Sequence, residues 1–478
     1  MNNQIQTPLL DQLLIHNKKQ PVSFHVPGHK YGELFPGKGR EFYQSLLKLD
    51  ATELTGLDDL HSPEGVILKA QQLLSNLYQA STSFFLVNGS TSGNLAMILA
   101  ALEEDDVVLV QRNSHKSIMN GIRLANAQPI YLNPEYDSEL MVASGVSLET
   151  IKAAIQANPN AKALILTYPN YYGMVYNLKD IIELAHEHGI PVLVDEAHGV
   201  HFILGDPFPP SAVSLGADVV VQSAHKTLPA MTMGAYLHFN SRMVSLEKLR
   251  DYLQVVQSSS PSYPIMASLD VARSYIGTFT KEDTQTLIKR INAFKTELGR
   301  IDGLTAYSQS KQDPLKLVIR ANGYSGFDLQ EIFERQGIYA ELADPNNLLL
   351  VLPLYNEKST NGLIEAVAKI KDAVEGASSS PKHLAPTRFP KFEGQSVERL
   401  ALSFKEMSKK ERDFTFLSQA AGKICAESII PYPPGIPLIL PGERVKKEHI
   451  ESLEYLLKIG AKIQGGERLK AGELQIFK

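Results

Sequence analysis

Two polar clusters at the ends of apolar runs carry the chemistry this sequence offers. Pro191-Val192-Leu193-Val194 leads into Asp195-Glu196-Ala197-His198, and Val219-Val220-Val221 leads into Gln222-Ser223-Ala224-His225-Lys226. A short apolar run of this kind reads as a buried parallel strand, and ligands of open α/β sheets sit at the carboxyl edge of such strands. An ammonium desolvated there, beside the protonatable His225, gives up its proton readily and becomes an amine nucleophile able to form a Schiff base. An aspartate at the end of an apolar strand is costly unless a cation or N–H donors face it. Asp195, His198 and His201 have the donor types for a metal; alternatively, Asp195 pairs with the protonated ring nitrogen of a cofactor. Lys226 favours the second reading, because a metal hydrolase has no special need of that amine.

Two further strand ends complete the pattern. Ser83 to Val87 reads as a strand, Asn88-Gly89-Ser90-Thr91-Ser92-Gly93-Asn94 as a turn, and Leu95 to Leu102 as an apolar helix. Strand, Gly/Ser-rich turn and helix start aim free backbone N–H groups and hydroxyls at an anion, here those of Ser90, Thr91 and Ser92. No Gly-Lys-Ser/Thr follows, so this is a phosphate cradle other than a nucleotide P-loop. The strand Val107 to Val110 ends in Gln111-Arg112-Asn113-Ser114-His115, where the imidazole of His115 is placed to stack on a planar ligand. Phosphate cradle, stacking ring, carboxylate and lysine are the four groups a pyridoxal 5'-phosphate site requires. On this reading Ser223 and His225 also hold the phosphate, His198 bonds the phenolic oxygen, and no metal is expected.

The elements that position these groups must come from a large soluble fold. The chain has 478 residues, 44% of them hydrophobic, enough for two or three domains with a sizeable core. A formal charge of -5, without a dense basic block, gives no support to nucleic-acid binding. The single cysteine, Cys425, has no intrachain partner, Met1 to Leu14 lacks the order of a secretory signal, and no apolar run is long enough to cross a bilayer. A cytoplasmic location is the expectation. Strand–helix alternation to about residue 280 predicts a large domain over 1–280 with a mostly parallel sheet. A small α/β domain follows over 281–375, then a Gly/Ser/Pro-rich linker over 376–395 and a C-terminal domain over 396–478.

Five segments carry a resemblance: His25-Val26-Pro27-Gly28-His29-Lys30, Asn113-Ser114-His115-Lys116-Ser117, Asp195-Glu196-Ala197-His198-Gly199, Ser223-Ala224-His225-Lys226 and Tyr432-Pro433-Pro434-Gly435-Ile436-Pro437. Together they resemble the Orn/Lys/Arg decarboxylase class-I family, over about residues 20 to 445. The resemblance implies fold type I, the aspartate aminotransferase-like α/β fold, with smaller C-terminal α/β domains. It implies pyridoxal phosphate as cofactor and a basic L-amino acid as substrate, arginine or lysine ahead of ornithine. It is closest to the short bacterial members without an amino-terminal wing domain. In the family the segment equivalent to Ser258-Ser259-Ser260 reaches the phosphate of the partner subunit, so a homodimer with shared sites and a role for Ser259 are implied. The distal cation of the substrate needs an anionic pocket. Glu427 is the first candidate, with Asp58, and then Asp59 and Glu53, behind it. Asp-Glu-Ala-His also occurs in α-oxoamine synthases of the same fold, which leaves acyl transfer as an alternative, as is a non-catalytic pyridoxal phosphate binder.

Overall fold

The structure, a computed structural model, describes residues 3–309, 311–377, 397–431, 437–458 and 460–478. Eight strands bear on function: β1 (Thr82–Leu86), β2 (Val107–Gln111), β3 (Gln128–Leu132), β4 (Ala163–Thr167), β5 (Val192–Asp195), β6 (Val219–Gln222), β7 (Ala235–Phe239) and β8 (Val397–Arg399). The helices that matter for function are α1 (Val66–Tyr78), α2 (Gly89–Ala101), α3 (Lys116–Leu124), α4 (Leu246–Val256) and α5 (Tyr263–Gly277). The chain forms two compact units, residues 1–101 with 191–280, and residues 102–190 with 281–478.

In the first unit the strands run in the order β1, β7, β6, β5. β5 and β6 pair in parallel, with Asp195 opposite Val221, and β7 is antiparallel to both β6 and β1. It follows that β1, β5 and β6 point the same way, and their carboxyl ends share one edge. Every residue of β5 and β6 is buried, as expected of strands that are apolar on both faces. α2 lies close on this sheet because Gly93 has no side chain. A Cβ there would stand 2.6 Å from Leu86 Cδ1 and 2.9 Å from Val221 Cγ1. Ala96, Met97 and Ala100 of the same helix are buried. Small residues therefore let the amino-terminal end of α2 reach the strand ends.

In the second unit the order is β4, β2, β3, β8. β2 is parallel to β3 and to β4, and β8 is antiparallel to β3. Leu304–Tyr307, Lys316–Ala321, Leu348–Val351 and Leu342–Ala343 form an antiparallel four-stranded sheet. Gly326–Arg335 begins there with a Ser325/Asp328 capping box. A three-stranded sheet of Arg412–Phe416, Glu473–Phe477 and Ile424–Cys425 covers the carboxyl-terminal region. The expected linker, from residue 378 on, and Tyr432 to Ile436 of the late motif lie outside the described residues. Among the described residues no helix is long and apolar enough to cross a membrane.

Candidate active site

The first unit gathers a lysine, a carboxylate, an imidazole and two hydroxyls at the shared edge of β1, β5 and β6. Lys226 closes a short 3-10 turn, Ala224–Lys226, directly after β6. It is half-buried, and its Nζ lies 2.9 Å from Nε2 of His198. Two nitrogens cannot both donate along one line, so one member of the pair supplies a lone pair. The imidazole against Lys226 is thus His198, 28 residues earlier, and the adjacent His225 turns away, its Nδ1 3.0 Å from the Gly234 carbonyl oxygen. Local sequence pairs Lys226 with His225; the parallel register of β5 and β6 pairs it with His198 instead.

Asp195 ends β5 with only 3% of its surface exposed. Its Oδ2 accepts from Asn94 Nδ2 at 3.0 Å and its Oδ1 from the backbone N–H of Ala197 at 3.1 Å. Two neutral donors orient the carboxylate, and a cationic ring nitrogen is the natural complement to its charge. The sequence placed Asn94 at the end of the turn and gave it no part in holding Asp195. The structure puts it, buried, in the second turn of α2, and local periodicity does not link it to a strand end.

The hydroxyls lie at the start of α2. Ser90 Oγ and Ser223 Oγ are 2.8 Å apart, which brings the turn after β1 and the turn after β6 together. Thr91 is exposed in the first turn of the helix. Ser92 is a correction to the expected cradle: it is buried and donates its hydroxyl to the Gly89 carbonyl oxygen at 2.8 Å, so it braces the turn. The first turn of α2 carries no acidic residue, and Gly89, at φ +78°, leaves open space where a Cβ would stand. A helix start, two hydroxyls and a side-chain-free approach suit a phosphate monoester. With the neutral-donor carboxylate and the half-buried amine, the residues present fit pyridoxal phosphate.

Other expected residues stand as follows. His115 caps α3 in the second unit, accepting from the Ser117 N–H, with its Nδ1 2.8 Å from Ser117 Oγ. Its tilt is therefore set locally. Ser259 is exposed in the first unit, and the neighbouring Ser258 N–H donates to Asn88 Oδ1 of the same chain at 3.3 Å, next to the start of α2. Glu427 is half-buried in the second unit, and its Oε1 accepts from the Gln475 N–H at 2.8 Å. Asp58 is a correction. Its Oδ1 accepts from the N–H groups of Asp59 and Glu64, and its Oδ2 from those of Gly65, Ile67 and Leu68. Burial opposes its charge, yet the backbone donors prevail and hold the carboxyl below the usual carboxylate range. Asp58 thus braces the loop that leads into α1, with both oxygens engaged by backbone N–H groups rather than facing a pocket. His201, the third donor of the metal reading, packs edge-on to Phe202 and Phe208, ring centroids 4.9 and 5.1 Å away. Among the described residues no group of three His, Cys, Asp or Glu side chains could hold a metal ion.

Known proteins are similar to this chain along its length. The family model for the Orn/Lys/Arg decarboxylase major domain matches residues 7–311, and that for the C-terminal domain matches residues 387–465. The chain is 46% identical over 480 residues to "Uncharacterized protein YaaO" of Bacillus subtilis, covering 99% of each. It is 34% identical over 492 residues to the arginine decarboxylase of the same organism, covering 100% of this chain and 99% of the relative. In fold it is similar to the crystal structure of the Francisella novicida lysine decarboxylase LdcF, with a TM-score of 0.82 at 22% identity, covering 100% of this chain and 81% of that one. The chain thus belongs to the Orn/Lys/Arg decarboxylase family, pyridoxal phosphate-dependent enzymes that decarboxylate basic amino acids.

Proposed function

We propose that this enzyme takes arginine ahead of lysine and ornithine, and releases CO2 and agmatine. The arginine preference rests on the Bacillus subtilis arginine decarboxylase, 34% identical over the whole chain, against 22% for the Escherichia coli constitutive lysine decarboxylase. The observation that carries the chemistry is the convergence of Lys226–His198, Asp195–Asn94 and Ser90–Ser223 at one sheet edge.

When bound, pyridoxal phosphate supplies an aldehyde for the substrate amine and a ring that takes up the electron pair left by departing CO2. Ser90, Ser223 and the N–H groups that follow Gly89 in the first turn of α2 would hold the phosphate. Asp195, fixed by Asn94 and the Ala197 N–H, keeps the proton on the ring nitrogen. Lys226 Nζ would hold the cofactor's aldehyde carbon before substrate enters and would deliver a proton to the substrate Cα. His198 orients Lys226 and stands ready to bond the phenolic oxygen. His115 stacks on the ring face. Glu427 receives the distal guanidinium. The working form is a cytoplasmic homodimer in which Ser259 reaches the partner subunit's phosphate.

The test is incubation of the cofactor-loaded protein with arginine, lysine and ornithine separately, with the amine identified. Arginine turnover should exceed that of the other two. Lys226→Ala should abolish CO2 release and the visible absorbance of the cofactor together. Turnover retained by that variant, or no amine from any of the three, would overturn the reading.

A further inference from the structure

A buried guanidinium stands three residues before His115, in the second unit. Arg112 directly follows β2 and is 1% exposed. Its Nη2 donates to Glu443 Oε2 at 2.8 Å and to the Leu438 carbonyl oxygen at 3.3 Å. Its Nη1 donates to Glu443 Oε1, and to Glu398 Oε2 at 3.1 Å. The acceptors belong to the C-terminal domain of the family, 387–465, and Arg112 to the major domain, 7–311. Two parallel N–H···O bonds to one carboxylate fix direction as well as distance. A buried ion pair adds little net stability over well-packed apolar residues, and its best-attested role is to impose one arrangement on the parts it joins.

The parts joined here carry two groups of the proposed site. The Glu443 carbonyl oxygen accepts from the Cys425 N–H at 2.8 Å, and the Gln475 carbonyl oxygen accepts from the Ala426 N–H at 2.9 Å, so residues 425 and 426 are held from two sides. Glu427 follows, its Oε1 held by the Gln475 N–H. At the other end, Ser114 Oγ accepts from Thr167 Oγ1 at 3.0 Å, which ties the residue before His115 to the end of β4. The two ends also approach each other. Lys116 Nζ is 3.5 Å from Gln464 Oε1, Gln464 pairs with Ile430, and Gly465 stands so close to Ser428 that a Cβ would collide with its carbonyl oxygen. We propose that Arg112 is a positioning residue for substrate selection: through Glu443 it sets the distance from His115 to Glu427, and with it the basic side chain that fits between ring and carboxylate. That role rests on the functions given above to His115 and Glu427. A guanidinium meets a carboxylate in a planar fork and is sensitive to its direction, whereas an ammonium is a point charge on a flexible stem and tolerates displacement. Loosening Glu427 therefore penalises arginine more than lysine or ornithine.

The experiment is steady-state decarboxylation of arginine, lysine and ornithine by the holoenzyme, with Arg112→Met/Glu443→Gln, Arg112→Lys and Glu427→Gln compared with the parent. Removing Arg112 alone would leave a buried carboxylate uncompensated, so the double variant removes both charges, while Glu398 keeps Lys446 as its partner. In the double variant KM for arginine should rise about tenfold with kcat within about twofold, the mark of lost ground-state binding. The preference for arginine over lysine in kcat/KM should fall by roughly the same factor. Arg112→Lys keeps the charge without the fork and should fall between parent and double variant; it decides the matter if the double variant fails to fold. Glu427→Gln should raise KM for arginine by about tenfold or more. KM rising equally for all three substrates, a loss confined to kcat, or KM for arginine unchanged in the Arg112 variants while Glu427→Gln raises it would each overturn the proposal. If Glu427→Gln itself leaves KM unaltered, the assignment of Glu427 has failed, and the role of Arg112 falls with it.

Discussion

A fully buried carboxylic acid stands one position beyond Asp195. Glu196 Oε2 accepts from Ser211 Oγ at 3.0 Å and from Gln222 Nε2 at 2.7 Å, and its Oε1 accepts from the Ala212 N–H at 2.6 Å. Gln222 Oε1 then faces His238 Nε2 at 3.0 Å, and His238 Nδ1 faces Ser83 Oγ at 2.8 Å. Because the Gln222 amide donates to Glu196, its oxygen must accept from His238 Nε2–H, and burial, which keeps that imidazole neutral, leaves Nδ1 to accept the Ser83 proton. Burial pushes Glu196 up to about 8, against the pull of its three donors, and pushes His238 down to about 3. A carboxyl raised in the folded state stabilises below its unfolded value and loses that stability as pH climbs to about 8. A lowered imidazole stabilises above its unfolded value near ~6.5 and loses that contribution as pH falls toward its folded value. The opposite slopes cancel between ~4.5 and ~6.5, leaving a decline above ~6.5 that belongs to Glu196, worth ~2 kcal/mol by pH 8. Glu196→Gln should remove that decline in urea unfolding curves compared at pH 6.5 and 8. An unchanged slope would show Glu196 ionised in the native state.

At the level of elements, the approach of α2 to the sheet sets the site. Gly93→Ala would press a methyl into Leu86 and Val221, at a cost of ~1–3 kcal/mol for overpacking. It should lower the thermal midpoint and weaken cofactor affinity together, since the helix start carries Ser90. A loss of stability with unaltered affinity would separate the cradle from the packing. The strand ends were legible because an apolar β-branched run closing on Asp195 or Ser223 has few other meanings. The turn that opens α2 was legible from its glycine and hydroxyl spacing. The links across strands were not. Asn94 meets Asp195 and His198 meets Lys226 only through strand order and register, which no local period encodes. Asp58 looked like a pocket acid for the same reason: a lone carboxylate in a charged loop gives no sign of the five N–H groups that fold around it.

On the scale of the molecule, the likeness to the Bacillus subtilis arginine decarboxylase extends over 99% of that protein. The balanced charge of -5 leaves no strong field to oppose self-association. If Ser259 serves a second copy, cofactor occupancy should fall together with the dimer fraction on dilution, as read by sedimentation at several protein concentrations. A monomer that keeps its cofactor with undiminished affinity would remove the shared site. The pairing of Asp195 with Val221 has a further consequence. Slipping that pair by one residue would turn the acid to the opposite face of the sheet while leaving the hydrophobic run intact. A chain so misaligned could still collapse, yet it would stay colourless. The yellow of the bound vitamin therefore serves as a built-in inspection of assembly, reporting correct alignment of two neighbouring strands before any substrate arrives.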